Sequence, residues 1–315
     1  MDNFIYSLNA TVPVFLVIAV GYFLRKIGLF SEEFIKVADK FSFSVALPIM
    51  LLRDIGSMHI LEVFDLKLFA FCVIATCLCF FAVWGLAEFF LKDKKMIGSF
   101  VQGSFRGSVA VLGIAFIQNM YGNAGLAPLI IVSAVPLYNI FSVIILTFKA
   151  ESQEKKSGNL LGSAFWNIVK NPIIIGIAIG AIISLSGLQI PAILDKTLNN
   201  FAAMATPLAL LTIGAGFDGK KALGKLKPAF IASLIKLVAQ PAIFLPIAIA
   251  MGFRNQELIA LLIMLGAPTT PSTYIMAKNM HNDAVLASSI IILTMLLAAV
   301  TLTVWIFVLK SLSFI

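Results

Sequence analysis

Apolar stretches of about twenty residues, parted by short polar connections, run through this chain almost from end to end. A run of that length is what a helix needs to cross roughly 30 Å of hydrocarbon. The pattern predicts ten helical spans, at about 5–24, 41–58, 66–90, 97–119, 125–148, 164–186, 191–215, 228–251, 257–277 and 284–309. The connections are short and polar, the longest being KAESQEKKSGN at 149–159 and the most basic FDGKKALGKLK at 217–227. The start, MDNFIYSLNA, lacks the basic n-region of a cleavable signal, so the first apolar run is expected to be a span. The expected fold class is an all-α polytopic membrane protein with no soluble domain.

Composition agrees with that reading. Hydrophobic residues make up 60% of the chain and charged ones 12%, against about 25% charged in an ordinary soluble domain. A soluble enzyme carrying one anchor is excluded, and so is disorder. The formal charge of +8 sits in short loops, which points to topology and away from nucleic acid. With the N-terminus placed outside, sixteen of the 23 Lys and Arg fall at inner ends and five at outer ends. The asymmetry predicts that both termini are extracytoplasmic and that the number of spans is even. The remaining two, Arg106 and Lys236, fall deep inside spans. Cys72, Cys77 and Cys79 share one apolar run and read as small core residues rather than ligands or a disulfide framework.

Three pairs of segments recur at one offset. Pro13 is echoed by Pro172, and FSVALPIMLLRDIG (43–56) by AAMATPLALLTIGA (202–215), both 159 residues apart. IQNMYGNAGL (117–126) resembles MAKNMHNDAVL (276–286), with Asn119-Met120 and Asn279-Met280 at 160. Each half then holds five spans, and an odd number makes the second half enter the membrane from the other side. The expected architecture is a 5+5 inverted repeat, as in many secondary transporters.

Two spans are interrupted by residues that lipid does not tolerate, and they are the fourth of each half. Span 4 reads VQGSFRGSVAVLG (101–113), with Gln102, Gly103, Arg106, Gly107, Ser108 and Val109. Span 9 reads LGAPTTPSTYIMA (265–277), with Pro268, Thr269, Thr270, Pro271, Ser272 and Thr273. Backbone groups freed at such breaks persist only where protein or a wet cavity satisfies them. Paired breaks at matching depth are the best pointer to a transport site. The N–H groups at half-helix starts would attract anions, and the carbonyls at half-helix ends cations.

Arg106 has two readings, an anion-binding group beside the span-4 break or a cap on the carbonyls of the broken helix. Lys236 lies one turn before Gln240-Pro241; it snorkels inward, braces carbonyls freed by Pro241, or supports the substrate site from behind. Asn139, following Pro136 in span 5, is a site amide or an interhelical hydrogen bond. Fourteen of the fifteen carboxylates, Asp39 and Asp54 among them, fall in loops or at span ends, and Glu88 lies near an inner end. With no midplane carboxylate, anion export is expected to need no dedicated proton carrier, since an inside-negative potential favours exit by about 2.3 kcal/mol per charge per 100 mV.

Other signals are weaker. GAGFDGKK (214–221) lacks the final Ser or Thr of a phosphate-binding loop and follows a span. GIAIG (176–180) is a small-residue packing face, within the chain or between protomers. His59 and His281 fall on opposite sides, so no metal site is expected. Asn9-Ala-Thr11 sits inside the first span, out of reach of glycosylation. No enzyme motif appears.

VALPIML (45–51), FVQGSFRG (100–107), MYG (120–122), Asn171-Pro172, TPLALLTIG (206–214) and AKN (277–279) occur in this order over nearly the whole chain. In these motifs the sequence resembles the auxin efflux carrier family, which includes plant auxin exporters and bacterial carriers of malonate or malate. The short central loop is similar to that of bacterial members. Where plant members carry a proline–asparagine pair at the span-4 break, this chain reads Arg106-Gly107.

The resemblance implies a ten-span fold similar to sodium/bile-acid and sodium/proton carriers, in a bacterial inner membrane. It implies a dimerising scaffold from 1–58 and 164–215, and a mobile transport domain from 66–148 and 228–315. It places the substrate where Arg106–Val111 and Pro268–Pro271 cross. The function expected is an elevator-type carrier of small organic anions such as mono- or dicarboxylates, with no cofactor and with H⁺ or Na⁺ as a possible coupling ion. Arg106, Gly107, Ser108, Val109, Gln102, Asn139, Pro268, Thr269, Thr270, Pro271 and Ser272 would form the site, supported by Lys236 and Gln240. A sodium-coupled importer and a non-transporting membrane sensor are the alternatives.

Overall fold

The computed structural model describes residues 2–57, 65–109, 117, 126–150, 160–188 and 190–315. The second half of span 4, the MYG motif, most of the 117–126 repeat segment, His59 and most of the 149–159 loop lie outside the described residues. Among the described residues every regular element is helical. In chain order the helices are α1 (Asp2–Lys26), α2 (Glu32–Phe41), α3 (Leu47–Gly56), α4 (Leu66–Phe90), α5 (Ile97–Phe105), α6 (Ala127–Phe148), α7 (Leu160–Val169) and α8 (Pro172–Ser186). There follow α9 (Ala192–Ala215), α10 (Gly219–Gly224), α11 (Leu226–Leu234), α12 (Gln240–Ala250), α13 (Asn255–Gly266), α14 (Ser272–Asn279) and α15 (Ala284–Ser311).

Five stretches, Leu66–Phe90, Pro128–Phe148, Ala192–Ala215, Leu226–Ala250 and Ala284–Ser311, are long and apolar enough to cross a bilayer. Phe89, Ile193, Leu185 and Phe307 are between 70% and 85% exposed, a belt of large apolar groups that water would penalise and lipid accepts. The protein is a multi-pass membrane protein.

Two boundaries differ from the hydropathy reading. Helix begins at Glu32, not near 41, because α2 is amphipathic and escapes a search for apolar runs. Ser31 caps it, its Oγ accepting from Phe34 N at 3.0 Å, and Ile35, Ala38 and Asp39 face inward at helical spacing. Span 6 is two helices, α7 and α8. Pro172 has no N–H to continue the first, and Asn171 turns extended and caps the second through Ile173 N at 2.9 Å.

Widened π turns at Ser42–Ala46 and Ile235–Ala239 each come two residues before a proline, Pro48 and Pro241. A proline cannot donate to the carbonyl four residues back and its ring crowds it. The extra residue in the preceding turn lets the helix pass that point without breaking.

α3 lies along α8, α1 along α9, and α9 also touches α3. Glycines set these distances. A Cβ on Gly176 would come within 2.4 Å of Pro48 O, on Gly180 within 2.7 Å of Leu52 O, and on Gly214 within 1.9 Å of Ile18 O. The GIAIG face is therefore spent inside the chain, on α3. A second set of contacts joins α4, α5 and α6; α11 and α14 each pack against α15, all three meet α5, and α15 also meets α1.

Charges collect at two ends. At one, Lys225 pairs with Asp283 at 2.8 Å, Lys278 with buried Asp39 at 2.5 Å, and Glu88 with Lys149. At the other, Arg53 holds Asp195 at 2.9 Å.

Candidate functional site

α5 stops at Phe105, and Arg106 is extended (φ −88°, ψ 147°). α13 stops at Gly266 because Pro268 forces the residue before it, Ala267, out of the helical region (φ −70°, ψ 148°). Helix resumes at Ser272. The two interruptions touch: Ser108 N donates to Pro268 O at 2.8 Å.

Beside this contact lies a cavity of about 140 Å³. Its polar wall is Arg106, Gly107, Ser108, Asn139, Thr270 and Ser272, with Val109, Pro268 and Pro271 between them. Its apolar wall is Val14, Leu47, Met50, Leu51, Ile173 and Ala205, from α1, α3, α8 and α9. Of the residues singled out in the sequence, Gln102, Thr269, Lys236 and Gln240 do not line it. Thr269 is fully buried with its hydroxyl 3.1 Å from that of Thr273. Gln102 is buried against the Met276 sulfur at 3.4 Å.

Arg106 is 4% exposed and meets only neutral groups. Nη2 donates to Ser272 Oγ at 3.0 Å and Asn139 Oδ1 at 3.3 Å; Nη1 reaches Met276 Sδ at 3.1 Å and Ser142 Oγ at 3.4 Å. Its Nε has no partner among the described residues. Asn139 is held by donating from Nδ2 to Val135 O at 2.9 Å, which turns its oxygen to the guanidinium. It is therefore both an interhelical hydrogen bond and a wall residue. A buried guanidinium without a counter-charge is several kcal/mol short of its solvation in water.

Lys236 is fully buried and differently served. Nζ donates to Met264 O at 3.0 Å, Gln240 Oε1 at 3.2 Å and Phe105 O at 3.5 Å, and Gln240 Nε2 donates to Ser104 O at 2.8 Å. Lys236 thus braces carbonyls, but those of the interrupted helices α5 and α13 rather than those freed by Pro241.

Several wall residues were not singled out in the sequence. Tyr138 precedes Asn139 and donates from its hydroxyl to Met264 O at 3.0 Å. Asp54, assigned to a span end, stands two residues before the end of α3 and lines the cavity. The span-end assignment of Asp54 agrees with this place, and its lining of the cavity adds a carboxylate to a wall expected to hold none. The signal for Asp54 was its place one and two turns after Met50 and Leu47 on one helical face. Near the basic end a larger open cleft of about 1090 Å³ carries Arg25, Lys36, Lys220, Lys221 and Lys278 against Glu32 and Asp218.

The family model described as "membrane transport protein" matches residues 6–306. The chain belongs to this family. Its motifs are those of the auxin efflux carriers, and the protein is a transporter rather than an enzyme. It is 23% identical to an uncharacterized transporter of Methanocaldococcus jannaschii, over 95% of this chain and 97% of that one. It is 24% identical to the uncharacterized transporter YfdV of Escherichia coli, over 98% and 99%. A transporter of Methanothermobacter thermautotrophicus matches at 22% over 96% and 98%.

Proposed function

We propose that this family member carries small organic anions, mono- or dicarboxylates, across a bacterial inner membrane. The observation that carries the proposal is Arg106, a buried guanidinium on a cavity wall with neutral partners only and a free Nε–H. A carboxylate is the group that a planar fork of N–H donors fits. The start of α14 at Ser272, on the same wall, adds the positive end of a helix dipole.

Size and polarity narrow the substrate. At about 140 Å³ the cavity is well below the roughly 300–1,000 Å³ of pockets for drug-sized ligands. One polar and one apolar wall suit a carboxylate on a short carbon body. The basic cleft would raise the local concentration of such anions at its mouth.

The chain would work as a dimer with both termini extracytoplasmic, ten spans and the inverted repeat read from the sequence. The close packing of α1 with α9, of α9 with α3 and of α3 with α8, beside that of α5 with α11, α14 and α15, fits a scaffold and a transport domain that shift as in an elevator across the contacts of α1 with α15 and α9 with α14. The cavity lies between the groups, where such a shift exposes it to either side in turn. Asp54 favours a variant of this reading, in which a proton taken by that carboxylate accompanies the anion.

The test is a thermal-shift screen of organic acids on purified protein, followed by flux into proteoliposomes at clamped potential. A short-chain carboxylate should raise the melting temperature of the wild type and leave Arg106→Ala unmoved. Equal shifts in both would remove Arg106 from the site. Flux that follows the pH gradient and ignores potential would select the proton-coupled variant.

A further inference from the structure

Each helix that stops at a break, α5 and α13, leaves a C-terminal end, and the two ends converge away from the cavity wall. Ser104 O and Phe105 O belong to the last turn of α5, and Met264 O to the last turn of α13. A helix C-terminus carries roughly half a negative charge through its unpaired carbonyls. Two such ends meeting out of reach of water form a site for a small monovalent cation.

That site is filled from within the chain. The Lys236 nitrogen has three oxygen acceptors, Met264 O, Gln240 Oε1 and Phe105 O, at 3.0 to 3.5 Å. An ammonium has three donors and no acceptor, so the match is complete. A neutral amine would turn a lone pair towards carbonyl oxygens. Gln240 is oriented by its amide nitrogen, which donates to Ser104 O at 2.8 Å, so its oxygen faces the lysine. Gly107 closes the space: a Cβ there would lie 3.1 Å from both Lys236 Cε and Nζ and 3.3 Å from Ala267 O. The chain thus leaves room for the ammonium by omitting a side chain at the span-4 break.

We propose that Lys236 is a tethered cation occupying a monovalent-cation site made by the C-terminal carbonyls of the two interrupted helices, so that this carrier assembles its broken helices without soluble sodium. The inference concerns those helix ends and does not depend on the substrate being an organic anion.

The experiment is a melting series on detergent-purified full-length protein, without organic acids, in sodium, potassium, ammonium, methylammonium or choline chloride at equal ionic strength. The wild type should melt at one temperature throughout. Lys236→Ala should melt several degrees lower in choline and recover in ammonium or methylammonium, with smaller gains in sodium or potassium. Lys236→Met, which keeps the length but fills the space without charge, should be destabilised and not rescued.

Four results would overturn the proposal. They are saturable stabilisation of the wild type by sodium, a Lys236→Met protein as stable as the wild type, a Lys236→Ala protein that no small cation restores, and rescue by choline equal to that by ammonium. Where Lys236→Ala cannot be purified folded, the wild-type series and Lys236→Met still decide. A positive ion series with no organic acid shifting the wild type would retain the tethered cation and reject the anion substrate; the reverse pattern would do the opposite.

Discussion

Two cations are buried in the middle of this molecule, Arg106 and Lys236, and they stand in opposite conditions. Lys236 has three oxygens for three donors and no contact with the cavity. Arg106 spreads its donors over a sulfur, an amide and two hydroxyls, leaves Nε unpaired, and forms part of the cavity wall. Burial alone does not identify a ligand-binding charge. Satisfaction does: a saturated charge holds structure together, and an unsaturated one facing a hollow is waiting for a partner.

The largest effect tests that contrast directly. Removing Lys236 leaves buried oxygens unpaired at about 1–3 kcal/mol each, and a large chain loses roughly 2–4 °C per kcal/mol. Lys236→Ala should therefore melt on the order of ten degrees lower, while ligand-free Arg106→Ala, relieved of an uncompensated charge, should melt at or above the wild-type temperature. Scanning calorimetry of both variants decides; equal destabilisation would erase the distinction.

Anion affinity gives the next largest effect. Hydrogen bonds to charged groups contribute about 1.5–3 kcal/mol, so Arg106→Ala should weaken binding of the best carboxylate by roughly 10- to 100-fold in titration calorimetry. Arg106→Lys keeps the charge but not the fork, and should fall between.

Asp54 sharpens the comparison from the opposite sign. An ionised carboxylate lining the same cavity opposes a bound anion by about 1 kcal/mol in a partly wet cavity. Wild-type affinity should rise as pH falls and Asp54 takes up a proton. Asp54→Asn should bind several-fold tighter near neutrality and lose that slope; an unchanged pH profile would place Asp54 outside the anion's field.

The smallest effect belongs to Tyr138→Phe. It removes one hydrogen bond to Met264 O, which Lys236 still serves, and should cost about 0.5–1.5 kcal/mol of stability with little change in anion affinity.

The breaks were legible because Pro268, Pro271 and Gly107 interrupt otherwise apolar runs, and proline dictates the conformation of the residue before it. Arg106 stood out for a similar reason, as a charge where lipid allows none. The role of Lys236 was only half visible, because its partners are mostly backbone carbonyls, and these leave no mark on residue type. Asp54 was set aside for its nearness to a span end, whereas the face it occupies on α3 depends on packing against α8 and α9. The π turns were missed because Pro48 and Pro241 announce a disturbance without saying whether the helix stops or widens. α2 was missed because its polar face dilutes an average that its inner face would satisfy.

Gly176 and Gly180 against α3, and Gly214 against α1, bring main chain to main chain with no side-chain layer between. Surfaces so joined have no lubricant. Translating either helix of a pair along its neighbour would drive a carbonyl into a Cα, so α8 is keyed to α3 and α9 to α1.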